Sequence, residues 1–298
     1  MPSAASANNM AYRIFADATA DITDSAADGI SGVQMIPMQV GICGRNYTYG
    51  PGGNLSISAF YKMQREGNYA STSQINPSVY TEYFEPALLE GMDVLYLCFS
   101  SGLSATFQSA QMAAMELEAK YPGRRVCCVD SLSATAGELL MLRKVVQMHD
   151  DGSTLDAVVQ WLEENRLKMC HWFVVDTLDH LHHGGRVSAA VAVAGTVLQI
   201  KPMLHVTDEG RLENAEKPRG RKKAHAMLLN KLEQGRDPAL GNTVEIVHAD
   251  CIEHATDLGN AIRKRFPEAE VEIRDLGPVI GAHTGPGLLA LIYWGNNR

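Results

Sequence analysis

Hydrophobic and polar positions change in blocks along the first half of the chain, and the blocks carry two different periods. Residues 12–16 form a short apolar run that stops at Asp17, and 33–42 form another, interrupted by Pro37. The glycine-rich stretch 43–54 reads as a loop. A helix is expected over 58–65. Asn76-Pro77 marks the next helix start, with Asn as the N-cap and Pro at the first helical position. Val79, Tyr80, Tyr83, Phe84, Ala87 and Leu88 then recur at helical spacing up to Gly91. The unbroken apolar run 94–99 has the pattern of a strand covered on both faces. A helix over 107–120, a strand over 126–129 and a helix over 136–149 continue the alternation. Strand and helix in turn predict a parallel sheet flanked by helices.

The polar segment 150–153 opens a second region with its own elements. An amphipathic helix is expected over 155–167 and a strand over 171–175. The small apolar residues of 187–198 predict a buried helix. Segments 203–207 and 211–214 flank Asp208-Glu209-Gly210 as a hairpin. A basic helix from Arg219, a strand over 243–248, a helix over 254–266 and strands over 271–276 and 288–294 complete the series. The fold class is therefore α/β, with two α/β domains. The expected division is a disordered tail over 1–10, a first domain over 11–160 and a second over 161–298. The boundary falls somewhere in 150–170, and neither domain has to be continuous in sequence.

Length agrees: 298 residues at about 150 per domain give about two domains. Net charge is −8, which disfavours nucleic acid and anionic membrane surfaces as partners. No apolar run reaches the ~18 residues of a membrane span, and the first ten residues lack the pattern of a secretory signal. The six cysteines form no C-x-x-C pair, and three of them lie in apolar strand-like runs. Free thiols in a reducing cytoplasm fit that pattern better than disulfides or zinc. The expectation is a cytoplasmic protein with no metal and no cofactor.

Candidate chemistry gathers in four polar segments. Ser100-Ser101-Gly102-Leu103-Ser104-Ala105-Thr106 lies between a strand and a helix, where free N–H groups meet hydroxyls. It lacks the lysine of a nucleotide P-loop, so it is either an anion site or a helix cap. Asp130 to Thr135, Ser71 to Gln74 and Asp17 to Asp21 read as equivalent strand-to-helix loops, which would meet at the carboxyl edge of one parallel sheet. Asp17 and Asp21 suit acid–base or metal chemistry, or simply a strand end and a helix cap. His180, His182 and His183, with His171 nearby, lack partners at metal-ligand spacing and read as loop histidines. His283 sits among four glycines and two prolines of 277–287, as a positioned donor or as part of a structural turn. No G-x-S-x-G elbow supports a serine hydrolase. The basic block 217–223 is either a docking patch or a solvated helix start.

Taken together these motifs resemble those of the DegV family of fatty-acid-binding proteins, from about Tyr12 to Trp294. The carrying residues are Asp17-Ala18-Thr19-Ala20-Asp21, Thr72-Ser73-Gln74, Ser100 through Thr106, Gly184-Gly185-Arg186-Val187-Ser188, Lys201-Pro202-Met203-Leu204, Arg219 through Ala224, and the closing Gly-x-His-x-Gly-Pro-Gly around His283. Ala18 stands where the family has Ser, Ala105 where it has Gly, Asn76-Pro77 where it has Pro-Ser, and Gly50 where it often has Asp. The resemblance implies one long-chain fatty acid in a cleft between the domains. Its carboxylate would be held by Thr72, Ser73, Ser100, Ser101, Ser104 and His283. It further implies presentation of the acid to a fatty-acid kinase, with Arg186 engaged in the partner step and at most transient membrane contact. The competing classes are an enzyme, either a phosphotransferase subunit or a hydrolase, and a sensor of a small carboxylate.

Overall fold

The computed structural model describes residues 11–22, 24–188, 199–296 and 298. The expected tail over 1–10 and nearly all of the expected helix over 187–198 lie outside the described residues.

Three sheets organise the chain. The first is parallel throughout, in the order β2-β1-β6-β7, from β1 (Tyr12–Asp17), β2 (Gln34–Ile36), β6 (Asp93–Cys98) and β7 (Val126–Asp130). Every residue of β6 is buried, as its continuous apolar run requires. The flanking helices pack in two pairs. These are α2 (Pro77–Leu89) with α3 (Thr106–Lys120), and α4 (Ala136–Asp150) with α5 (Leu155–Asn165). Asn76 takes the expected N-cap position of α2 with extended backbone, but its side chain makes no capping bond.

The second sheet corrects two expectations. It is a three-stranded antiparallel unit in the order β4-β3-β5, built from β3 (Met38–Ile42), β4 (Arg45–Tyr49) and β5 (Ala70–Ser73). Pro37 separates β2 from β3 and so divides one apolar run between two sheets. The supposed loop 43–54 contains β4. Cys43 and Gly44 both have positive φ, at 53° and 68°, and close a tight two-residue hairpin. The supposed loop at Ser71 is likewise a strand, paired residue by residue with β3. Helix α1 (Ile57–Arg65) joins β4 to β5, capped by Ser56.

The third sheet runs β10-β9-β8-β13-β11-β12, from β8 (Met169–Val174), β9 (Met203–Val206), β10 (Leu212–Glu216), β11 (Thr243–His248), β12 (Glu270–Asp275) and β13 (Leu289–Trp294). Only the β11–β12 pair is parallel. Its central strands alternate strictly, as strand geometry demands. Phe173, Ala290, Ile292 and Trp294 join the core shared with the first two sheets. Cys170, Trp172, Val174, Leu289, Leu291 and Tyr293 face a second core. That core also holds residues of α7 (Arg221–Gly235) and α8 (Ile252–Arg265). Two short helices, α6 (Asp179–His183) and α9 (Pro278–Thr284), replace segments expected to be loops. Helix α9 packs against α6, α1, β3 and β5, so the histidine-bearing glycine-rich segment is a structured element between the sheets.

A partly buried ion cluster ties a helix of the parallel sheet to the third sheet. Arg143 of α4 reaches Glu272 at 2.8 Å and Glu245 at 3.4 Å. Arg274 reaches Glu245 at 2.9 Å and also pairs with Glu272 and with Asp28. Glu245 is fully buried, and burial lifts its carboxyl to about 7 against the two arginines.

Candidate functional site

Between the sheets lies a cavity of about 250 Å³. Apolar side chains from all three layers form most of its wall, including Phe99, Phe173, Val279, Leu288, Ala290 and Ile292. Polar groups enter at a few places. Thr72, Ser73 and Gln74 come from the end of β5, Ser104 and Ala105 from the loop before α3, and His283 and Thr284 from the end of α9. Arg186 reaches the cavity from the segment after α6. Thr135 and His171 also line it.

The polar centre is Thr72 with His283. Thr72 Oγ1 lies 2.7 Å from His283 Nε2. Burial, and then the neighbouring charges of Arg186 and His183, push His283 down to about 3, so the ring is neutral at physiological pH. Its Nδ1 is buried without a partner among the described residues. The Gly-Gly-Arg sequence gains a physical reason here. A Cβ at Gly184 would collide with His283 Nδ1, and Gly185 adopts φ 74°, where glycine is favoured. Arg186 then folds back to donate to Leu103 O through Nε (3.2 Å) and Nη2 (3.1 Å), and to Gly184 O. One guanidinium thus ties the loop before α3 to the end of α6.

The serines of that loop divide. Ser104 lines the cavity, and its Oγ accepts from Thr106 N at 3.2 Å, just before the N-cap Ala105 of α3. Ser100 and Ser101, both expected at the carboxylate site, do not line the cavity. Ser100 Oγ is fully buried, donates to Gly210 O at 2.7 Å and accepts from Gly102 N. The tip of the β9–β10 hairpin occupies the space into which Ser100 would otherwise point, because Gly102 and Gly210 are packed too closely to carry a Cβ. Ser101 is held through its backbone N–H on Asp130 Oδ1 at 3.1 Å. Ala105 sits at φ −78° and ψ 9°, a conformation that needs no glycine, and its methyl lies on the cavity wall.

Behind Thr135 lies a sealed group of carboxyls. Asp17, Asp21 and Glu138 are all buried. Thr135 donates to Asp21 Oδ2 at 2.6 Å. Asp17 accepts from Thr19 N at 2.9 Å, from Thr19 Oγ1, and from Tyr96 OH. Thr19 Oγ1 also lies 3.0 Å and 3.1 Å from the two oxygens of Glu138. One hydroxyl carries one proton, so with Thr19 donating to Asp17, Glu138 must supply the second. Burial, reinforced by Asp17, holds the Glu138 carboxyl well above its ordinary range, which agrees with that count. Burial raises Asp17 and lifts Asp21 to about 7. Asp17 ends β1, and Asp21 is the C-cap of the 3-10 turn 18–20, with φ 53°, as the plain reading of the two residues expected. Asp21 also anchors a cavity-lining threonine.

The remaining candidates lie elsewhere. His180, His182 and His183 stand on α6, where Tyr69 stacks on His183 at 4.5 Å and leans on His180 at 4.8 Å. No group of three metal-ligating side chains occurs among the described residues. Arg221 of the basic block turns inward to Asp176 and Gly287 O rather than facing solvent. His171 and Thr135 were not separated by sequence from their neighbours as cavity residues. The signal was the alternation of β8, which puts His171 on the same face as Phe173. No helix of the described residues is long and apolar enough to cross a membrane.

A family model described as "Uncharacterised protein, DegV family" matches residues 11–296. A DegV domain-containing protein of Clostridium perfringens, CPE0026, is 40% identical over 287 residues, covering 96% of this chain and 98% of that protein. Among solved structures, a DegV family protein from Thermus thermophilus, described for its fatty acid binding, superposes with a TM-score of 0.83. It is 30% identical and covers 96% of this chain and 100% of its own. The Streptococcus pneumoniae fatty acid kinase B3 protein, loaded with linoleic acid, superposes with a TM-score of 0.85 over 96% of this chain and 100% of its own. Its 21% identity makes it a likeness of fold.

Proposed function

Because the chain belongs to the DegV family, we propose that it is a carrier that holds one long-chain fatty acid in the cavity between its sheets. The observation that carries this reading is an apolar cavity whose hydroxyls and neutral imidazole converge at Thr72 and His283. An apolar wall with a few convergent polar groups suits a ligand that is mostly hydrocarbon with one polar end. The carboxylate is assigned to Thr72, Ser73, Ser104 and His283. A carboxylate oxygen set between Thr72 and His283 would accept from a hydroxyl and a ring N–H, and Arg186 adds positive potential. That local arrangement has to hold the anion against the protein's net charge of −8. The fatty-acid-binding relative from Thermus thermophilus supports the ligand class.

The second half of the proposal is presentation to a partner kinase. A groove of about 810 Å³ shares Leu103, Arg186 and Leu212 with the cavity and adds Arg211 and Lys217. It places basic side chains beside the polar end, where an acyl carboxylate would meet a phosphoryl donor. Arg186 is assigned to that step. The chain itself serves as the substrate-presenting subunit, in the cytoplasm, with residues up to about 160 forming one domain and the remainder the other.

The test is direct. The purified protein is denatured, extracted with solvent and the extract read by lipid mass spectrometry, with added fatty acid titrated into the delipidated protein. One acyl chain per protein is expected. No acyl ligand and no binding of added acid would overturn the carrier reading. Ester hydrolysis by the isolated chain would replace it with an enzyme.

A further inference from the structure

Helix α9 carries His283, and α1 grips that helix through its backbone. A Cβ at Gly281, in the middle of α9, would lie 2.5 Å from Tyr61 OH, so α1 packs directly on the α9 main chain. Two side chains of α1 bond to it. Tyr61 OH donates to Leu276 O at 2.9 Å, just before α9 begins. Gln64 Nε2 donates to Gly281 O at 3.0 Å. Gly281 O also accepts from Gly285 N at 2.9 Å, which closes the turn 281–285 that carries His283.

Gln64 is 3% exposed and does not line the cavity. Gly281 O can only accept, so the nitrogen end of the amide faces α9 and has a second N–H to give. That nitrogen lies 3.5 Å from His180 Nδ1 on α6. Burial holds His180 below its ordinary value, so the neutral ring can accept there. The His180 ring in turn fills the space beside Gly285, where a Cβ would lie 2.3 Å from its Cδ2. One amide therefore meets both the turn that holds His283 and the ring packed against the end of that turn. Its Oε1 is buried with no partner among the described residues. A buried carbonyl left unpaired costs stability, and a methionine would fill the same space without that cost. Stability alone does not call for glutamine at this position.

We propose that Gln64 is a positioning residue for His283: through Gly281 O and His180 it holds the imidazole against Thr72, and carboxylate binding depends on it although it touches no ligand. The inference rests on the carrier reading and deepens it. Without the amide, Gly281 O keeps its bond from Gly285 N, so the turn itself survives. What is lost is the tether from α1 and the contact with His180. With them goes the placement that sets His283 Nε2 2.7 Å from Thr72 Oγ1. Hydrogen bonds weaken steeply once distance and angle drift, so a small shift of the ring is enough.

The experiment uses delipidated full-length protein with Gln64→Met, His283→Leu and the double variant. Hexadecanoic acid and hexadecanol are titrated by displacement of a fluorescent fatty acid. Gln64→Met is expected to weaken the acid by roughly fivefold, the loss of one hydrogen bond, and the alcohol by less than about twofold. In the His283→Leu background the same substitution should cost the acid nothing further, because both act at one point. Nitrogen nuclear magnetic resonance of the ligand-free protein should show the His283 ring signals moved in Gln64→Met. They should return in Gln64→Glu at a pH where the buried carboxyl is protonated and donates to Gly281 O. If Gln64→Met does not fold, Gln64→Glu carries the test, with acid affinity expected to fall relative to wild type as that carboxyl ionises, and to stay level in the His283→Leu background. Full additivity in the double variant, or His283 signals indifferent to residue 64, overturns the inference and leaves the carrier reading standing. If wild type binds no acid the carrier reading falls, and the ring signals alone decide whether Gln64 positions His283.

Discussion

Two hydroxyl-rich segments approach the same cavity and use their side chains in opposite ways. At the end of β5, Thr72 and Ser73 line the cavity and Thr72 meets His283 at 2.7 Å. After β6, Ser100 turns from the cavity to hold the tip of the β9–β10 hairpin through Gly210 O at 2.7 Å. Both segments are short, polar and placed just before a helix. The difference lies in what packs against them. The strand end faces the gap between sheets, and the loop is covered by a hairpin from the other half of the chain. A hydroxyl is available to a ligand only where no carbonyl from elsewhere in the fold has claimed it.

The largest effect is expected from closing the gap itself. Ala290 lies on the cavity floor and is 6% exposed. Ala290→Phe should fill the acyl space and reduce fatty-acid affinity by roughly a hundredfold, given about 1–3 kcal/mol for overpacking a formed core. Displacement of a fluorescent fatty acid measures it. Next come the two partners at the polar end. His283→Leu should reduce affinity by about tenfold and Thr72→Val by about fivefold, each from loss of one hydrogen bond to a charged group or its neighbour. Binding of a fatty alcohol of equal length, which lacks the carboxylate, should change less in both variants.

Ser100→Ala should behave in the reverse way. It leaves the Gly210 carbonyl without its donor and should lower unfolding free energy by about 1–3 kcal/mol, read by urea denaturation. Fatty-acid affinity should stay within about twofold, since Ser100 lies outside the lining. A large affinity loss with unchanged stability would erase the distinction between the two segments.

The last effect is on stability alone and concerns the support beneath Thr135. Asp21 has a folded-state value of about 7 against an ordinary 3.8. The folded protein therefore keeps a proton that the unfolded chain has released across that window. Its contribution is complete below about pH 4 and is lost as pH rises through 7, with a slope of up to about 1.4 kcal/mol per pH unit. Asp21→Asn removes this titration, so wild-type stability relative to the variant should fall between pH 4 and pH 7 and level off above. Urea unfolding at a series of pH values checks it. A rising difference would contradict the assignment.

The parallel sheet was legible because β1, β6 and β7 alternate with amphipathic helices, and because the β6 run LYLCF (95–99) is apolar throughout. The three-stranded sheet was not. Its strands RNYTY and ASTS are short and polar, and their pairing with β3 depends on a hairpin turn at Cys43-Gly44 and on a helix inserted between β4 and β5. The site was legible as chemistry and less so as geometry. Thr72, Ser73, Ser104, Arg186 and His283 do meet the cavity. Ser100 does not, because the carbonyl that claims it lies 110 residues away in sequence. His171 shares a face with Phe173 through the alternation of β8, and the β8–β13 register places it opposite Ile292.

The central claim is that a fatty-acid carboxylate rests on Thr72 and His283. Nuclear magnetic resonance of a fatty acid isotopically labelled at its carboxyl carbon, bound to the delipidated protein, addresses that contact itself. A single bound carboxyl resonance is expected, displaced in Thr72→Val and in His283→Leu and unmoved in Ser100→Ala. A bound resonance indifferent to both Thr72 and His283 would place the carboxylate elsewhere and contradict the assignment.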